Sequence, residues 1–135
     1  MAVMKVRIVT PDKLVFDGVA TYIYARGVDG DFAILPNHVS MITPLGLGQL
    51  RVDHHESSVH IAIDNGILEI TNNQINILTN DAMMGDDIDS AKIKMELEQL
   101  ERQKQNAKNR EELIKSETEI LKLINRLRVG ELHSQ

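Results

Sequence analysis

Along the first 84 residues, apolar and polar side chains alternate with a period of two. Met4, Val6 and Ile8 alternate with Lys5 and Arg7. Val19, Thr21, Ile23 and Ala25 alternate with Tyr22, Tyr24 and Arg26, and Val59, Ile61 and Ile63 with His60 and Asp64. That spacing gives each strand one face for a core and one for water. Leu68 and Ile70, then Ile75 and Ile77, flank Asn72-Asn73, a pair that tolerates positive φ and suits a two-residue hairpin turn. Turn signals recur at Pro11-Asp12, Asp17-Gly18, Asp29-Gly30, Pro36-Asn37, Gly46–Gly48 and Asn65-Gly66. Short strands punctuated this often predict an all-β sandwich or barrel rather than βαβ crossovers.

From residue 85 the spacing becomes helical. Asp86, Asp87 and Asp89 complement a helix start, and Ile93, Leu97 and Leu100 follow at i, i+4 and i+7. Asn109 and Glu112 have capping-box spacing, Leu113, Ile120, Ile124 and Leu127 continue the stripe, and Gly130 reads as a stop. The expectation is an antiparallel hairpin of helices over 89–106 and 110–128. The domains are then a β-sandwich at 1–84 and a helical hairpin at 85–135. All three prolines and all four aromatics lie in the first part, which sharpens the boundary. The link Gln105–Asn109 contains no Gly or Pro, so nothing local forbids one continuous helix on the order of 60 Å long. A single modest apolar stripe, at about 25 cal/mol per Å², separates the folded hairpin from a rival docking by a few kcal/mol. A static hairpin and a two-state element are both open on this pattern.

Charge narrows the function. Twenty acids oppose 15 bases, a net of −5, against the basic surface that nucleic-acid binding needs. The imbalance is local: residues 85–101 carry six acids and two lysines, and residues 102–128 carry eight bases and four acids. Such halves suit attraction between the two helices, or a basic second helix meeting an acidic partner. No cysteine is present, which removes disulfides, thiolate zinc sites and a Cys nucleophile. No stretch approaches the roughly 18–20 apolar residues of a membrane span, and the first residues lack an apolar signal core; the expectation is a cytosolic chain. His54, His55 and His60 form the only histidine cluster. Strand neighbours point to opposite faces, so a polar hairpin tip explains them better than a metal site. Neither a GxSxG elbow nor a phosphate-binding glycine loop is present. The pattern favours an interaction protein over an enzyme. A free-standing regulatory binding module and a small metal-dependent hydrolase built on the histidine cluster are the rival readings.

The run Gly30-Asp31-Phe32-Ala33-Ile34-Leu35-Pro36-Asn37-His38, followed by Ile42-Thr43-Pro44-Leu45, is the most distinctive in the chain. It resembles the signature of the epsilon-subunit family of bacterial and chloroplast F-type ATP synthases. The opening VRIVTPDKLVFDG, the stretch Asp64–Ile70, the stretch Asn76–Ala82 and Asp87-Ile88-Asp89 resemble further family segments, in family order. The resemblance implies a non-catalytic rotor subunit with no cofactor, bound to gamma and to the polar loops of the membrane c-ring. It would sit peripherally on the cytoplasmic face of the bacterial cell membrane, held there only through the complex. It also implies that the hairpin either packs on the sandwich or extends to the alpha/beta catalytic head and inhibits ATP hydrolysis.

Carried onto matching positions, the resemblance implies a c-ring contact at Asp29, Gly30 and Asp31, with Asp31 as the carboxylate, and a gamma contact at His38, Met41 and Ile42. The regulatory contacts would come from Lys108, Arg110, Lys115, Lys122, Arg126 and Arg128. Solvated turns and an ordinary wet helix face are the plain alternatives. Some family members bind ATP in the folded hairpin through I-D-x-x-R-A. Here Asp89, Lys92 and Arg126 are the corresponding candidates, but Lys92 lacks the planar fork of Arg and Ile93 stands where a small Ala is kept. Weak or no ATP binding is the expectation.

Overall fold

The computed structural model describes residues 2–133; Met1, Ser134 and Gln135, the outermost residues of the two expected domains, lie outside the described residues. Seven strands, β1 (Met4–Val9), β2 (Leu14–Ala20), β3 (Tyr22–Gly27), β4 (Gly30–Ile34), β5 (Met41–His54), β6 (Ser57–Thr71) and β7 (Gln74–Met84), are followed by one 3-10 turn, Gly85–Asp87. Two helices complete the chain, α1 (Ser90–Gln105) and α2 (Arg110–His133). The expected sandwich and two-helix order is present. The strands run in the order β2-β1-β7-β6-β5-β3-β4, all antiparallel except β1 beside β7. Inward-facing aliphatics such as Ile8, Ile23, Ile34, Leu50, Leu68 and Ile77 form the core, with Phe16 and Phe32 packed at its margin.

Two expected turns are bends inside long strands. Gly46–Gly48 lies within β5 and Asn65-Gly66 within β6. Pairing passes from Leu45↔Gly66 to Gly48↔Ile63, and from Asp64↔Asp81 to Gly66↔Thr79 with the register unchanged, leaving Asn65 between them at φ 46°. The left-handed residue at this point sharpens the strand twist, so the strands turn over and serve both layers. Gly66 is obligatory there, since a Cβ would stand 2.2 Å from the Leu78 carbonyl oxygen. The buried Thr79 hydroxyl sits inside the bend, 2.7 Å from the Asn65 carbonyl oxygen and 3.0 Å from those of Asp64 and Asp81. The Asn72-Asn73 turn has both residues at positive φ, 49° and 61°, as its composition predicts.

Asp89 caps α1 by accepting the Lys92 N–H, and Asn109 caps α2 by accepting the Glu112 N–H. The Glu112 carboxylate returns to the Lys108 N–H, one residue outside the usual capping-box partner. Gly130 does not stop α2, which runs through it to His133. Its role is close approach: a Cβ there would lie 2.8 Å from Ile88 Cγ2.

Candidate functional site

The strand registers assemble a row that the sequence pattern alone did not reveal. Pro44 pairs with Ile67, Ile67 with Leu78, Leu78 with Val9, and Val9 with Leu14. Directly paired residues share a face, so five apolar side chains cross β5-β6-β7-β1-β2 on the outer side of the sheet. Leu14, Ile67 and Leu78 are 47 %, 50 % and 58 % exposed, and Pro44 is exposed as well. The adjacent row, Ile42-Glu69-Asn76-Arg7-Asp17, is polar apart from Ile42. An apolar band with a polar rim is how docking surfaces are built. The signal was hidden because each residue comes from a different strand, and only pairing brings them together.

The sequence-derived contact candidates divide around this band. Ile42 lies on its side of the sheet and is 71 % exposed. Met41 faces the other way, pairing with buried Ile70 and packing, partly buried, against the core. His38 Nδ1 lies 2.8 Å from the Val39 carbonyl oxygen. Its loop is fixed by Asn37 and Asn73, which exchange hydrogen bonds of 2.6 and 3.1 Å. At the β3–β4 hairpin, Gly27 pairs with Gly30 and the tip is Val28-Asp29. Asp31 sits back on β4, where its carboxylate accepts from the Tyr24 hydroxyl and lies 3.5 Å from Arg26 Nε. That hydrogen bond is the main cause holding the Tyr24 hydroxyl above its ordinary value, with burial and the Asp31 charge adding to it. Asp29 stands at the hairpin tip, and Asp31, with 43 % of its side chain exposed, also faces outward.

The helical hairpin is folded, with α2 against the sandwich. Ile93 on α1 and Ile120, Leu123 and Val129 on α2 are buried. Asn125 Nδ2 donates to the Gly48 carbonyl at 3.0 Å, Lys122 Nζ lies 3.2 Å from Asp64, and Arg126 pairs with Asp81. The hydrogen bond and charge of Asp64 raise the Lys122 pKa above its ordinary value. A raised amine stabilises below its free pKa and loses that contribution only as pH rises through the docked one, so this pair is intact throughout the neutral range. The expected attraction between the helices is not how the charges are used. Among the described residues the ion pair bridging α1 and α2 is Lys104–Glu117, with the base on α1 and the acid on α2. Lys122 and Arg126 of α2 turn to the sandwich, where the β6–β7 register places Asp64 directly opposite Asp81. Lys108, Arg110, Lys115 and Arg128 are exposed, separate from Lys122 and Arg126.

Asp89, Lys92 and Arg126 do not form a shared cavity. Asp89 is engaged as the α1 cap and Arg126 with Asp81. A cleft of about 590 Å³ between the helices is lined by Leu100, Arg102, Glu112 and Lys115 and by none of the three. The histidine cluster is split: His54 and His55 stack at 4.0 Å beside the β5–β6 turn, whereas His60 faces His133 at 5.7 Å. Among the described residues no three His, Asp or Glu side chains are arranged to hold a metal.

Comparison with known proteins agrees with this architecture. Residues 3–85 match the family described as ATP synthase, Delta/Epsilon chain, beta-sandwich domain. The chain is 35 % identical to the ATP synthase epsilon chain of Lactobacillus johnsonii, over 96 % of this chain and 93 % of that one. It is 34 % identical to the ATP synthase epsilon chain of an Exiguobacterium species, over 98 % of each. Among solved structures, a chain of the Euglena gracilis mitochondrial ATP synthase, seen with OSCP, F1 and c-ring, shares the fold. The TM-score is 0.76 at 20 % identity, covering 96 % of this chain and 81 % of that one.

Proposed function

Because the chain belongs to the ATP synthase delta/epsilon family, we propose that it is the non-catalytic epsilon chain of a bacterial F-type ATP synthase, seated on the central stalk. The sandwich grips the gamma subunit with the outer band Pro44-Ile67-Leu78-Val9-Leu14 and the neighbouring Ile42. The β3–β4 hairpin, led by Asp29, meets the polar loops of the c-ring. The chain is peripheral to the cytoplasmic face of the membrane and held there by the complex; among the described residues no helix is long and apolar enough to cross a bilayer.

The observation that carries this reading is the uncovered apolar row across five strands, which gives a sandwich without catalytic chemistry a reason to be one half of an interface. A pull-down with the full chain tests it. Gamma is the expected principal partner; a retained partner unrelated to the ATP synthase would favour the free-standing regulatory module instead.

The hairpin adds regulation. In the folded state its bases Lys122 and Arg126 are held by Asp64 and Asp81. Extension toward the alpha/beta head would free them, with Lys108, Arg110, Lys115 and Arg128, to meet an acidic partner surface. The ion pairs of the docking lie largely at the surface, where each is worth under about 1 kcal/mol, so a rival partner can win. ATP binds the folded hairpin weakly or not at all, since the polar ends of Asp89 and Arg126 are already engaged. Shortening the chain after residue 86 should raise ATP hydrolysis by the reconstituted complex roughly fivefold or more, the scale of ordinary coupling between sites. Equal rates with the full and shortened chains would remove the regulatory role while leaving the structural one.

A further inference from the structure

The helical part keeps two glycines, Gly85 and Gly130, and both serve one contact. A Cβ on Gly85 would lie 2.5 Å from His133 Cγ, and one on Gly130 would lie 2.8 Å from Ile88 Cγ2. The last turn of α2 is therefore pressed onto the segment that joins sandwich to hairpin. There the His133 ring stands edge-on to His60 of β6, with centroids 5.7 Å apart, and its Nε2 meets the Asp86 carboxylate. The Nδ1 atoms of both histidines are buried without a partner among the described residues.

We infer that this contact is an acid-released clasp: the His60 and His133 rings together seat the end of α2 on the sandwich, and protonation of His60 lets the hairpin go. The inference rests on the reading of the hairpin as a mobile element.

The groups facing the pair decide the sign. His133 meets Asp86 from the 3-10 turn and His60 from β6. His60 meets His133 from α2 and Arg51 and Asp53 from β5. At His60, Asp53 favours the protonated ring, whereas burial, His133 and Arg51 oppose it. The Asp86 side chain is 81 % exposed, so its attraction is heavily screened. At His60 burial is the largest influence, followed by His133 and then Arg51, and together they hold its pKa below the ordinary value of 6.5. A histidine depressed in the docked state contributes docking free energy above its free pKa and loses it as pH falls. Protonating His60 also makes its buried Nδ1 an N–H donor with no acceptor among the described residues, an arrangement that costs more than an unmade bond to solvent.

Amide hydrogen exchange of the full chain, corrected for the intrinsic pH dependence of exchange, reads the opening of α2 directly. Protection of α2 relative to the core strands should fall about threefold or more between pH 7.5 and 5.5. His60→Gln should flatten that response. Gly85→Ala, which leaves every titratable group in place but evicts the His133 ring, should lower protection of the last α2 turn at both pH values and remove its pH dependence. Protection that is flat or rising on acidification in the unaltered chain, or an unchanged slope in His60→Gln, would overturn the clasp. Exchange on the isolated chain is independent of hydrolysis by the assembled complex, so failure of the clasp and failure of the regulatory reading are told apart.

Discussion

Replacing Ile67 or Leu78 with Asp is expected to weaken binding of the chain to gamma at least a hundredfold while leaving its own fold intact. Both side chains are half exposed in the free chain, 50 % and 58 %, so their removal takes little from the core; surface changes of this kind usually stay within about 0.5 kcal/mol. In the docked state they sit at the middle of the five-strand row, flanked by Pro44 and Val9. A carboxylate there must be stripped of water without a partner, and central anchors of an interface commonly cost 2 kcal/mol or more when lost. A hundredfold loss is about 2.7 kcal/mol. Titration calorimetry with purified gamma measures the affinity, and a thermal melt controls for folding. Unaltered affinity with Ile67→Asp and Leu78→Asp would move the gamma interface off this face.

The second large effect falls on the fold. Gly66→Ala should destabilise the sandwich by about 3 kcal/mol and lower its melting midpoint by about 10 °C. The added Cβ would stand 2.2 Å from the Leu78 carbonyl oxygen and 3.0 Å from Thr79 Cα, both backbone atoms of the paired strand. Neither can rotate away, so β6 and β7 must separate at the bend. The same displacement would disturb Thr79, which gathers the carbonyls of Asp64, Asn65 and Asp81, and with it the two carboxylates that receive Lys122 and Arg126. A circular-dichroism melt checks this; a midpoint within about 2 °C of the unaltered chain would show that the bend is not a close-packed constraint.

Much of the fold was legible because its signals are local. Period-two alternation in Met4–Ile8 and Val59–Ile63, the Asn72-Asn73 turn and the Asn109–Glu112 cap each depend on a few adjacent residues. The misread positions all depend on distant ones. Asn65-Gly66 and Gly46–Gly48 carry turn chemistry, yet pairing of Gly66 with β7 and of Gly48 with β6 keeps them inside long strands. Gly130 has the composition of a helix stop, but Ile88 packs where its side chain would be. Charge along α1 and α2 suggested mutual attraction, whereas the sandwich supplies the nearer carboxylates. The candidate site followed the same rule. Ile42 could be placed from the family resemblance, but the row Pro44-Ile67-Leu78-Val9-Leu14 spans five strands and exists only once the register is known. Met41 lies partly buried against the core, and Asp31 is exposed beside Tyr24 and Arg26.

The chain contains no cysteine, so one introduced at the band reports on it alone. Labelling of Leu78→Cys with a water-soluble maleimide, in the free chain and in the assembled ATP synthase, measures directly whether the outer face is the seat on the stalk. Rapid modification of the free chain and strong protection in the complex is the predicted result. Equal rates in the two would mean that the band is bare in the working rotor, and that the sandwich is held by some other surface.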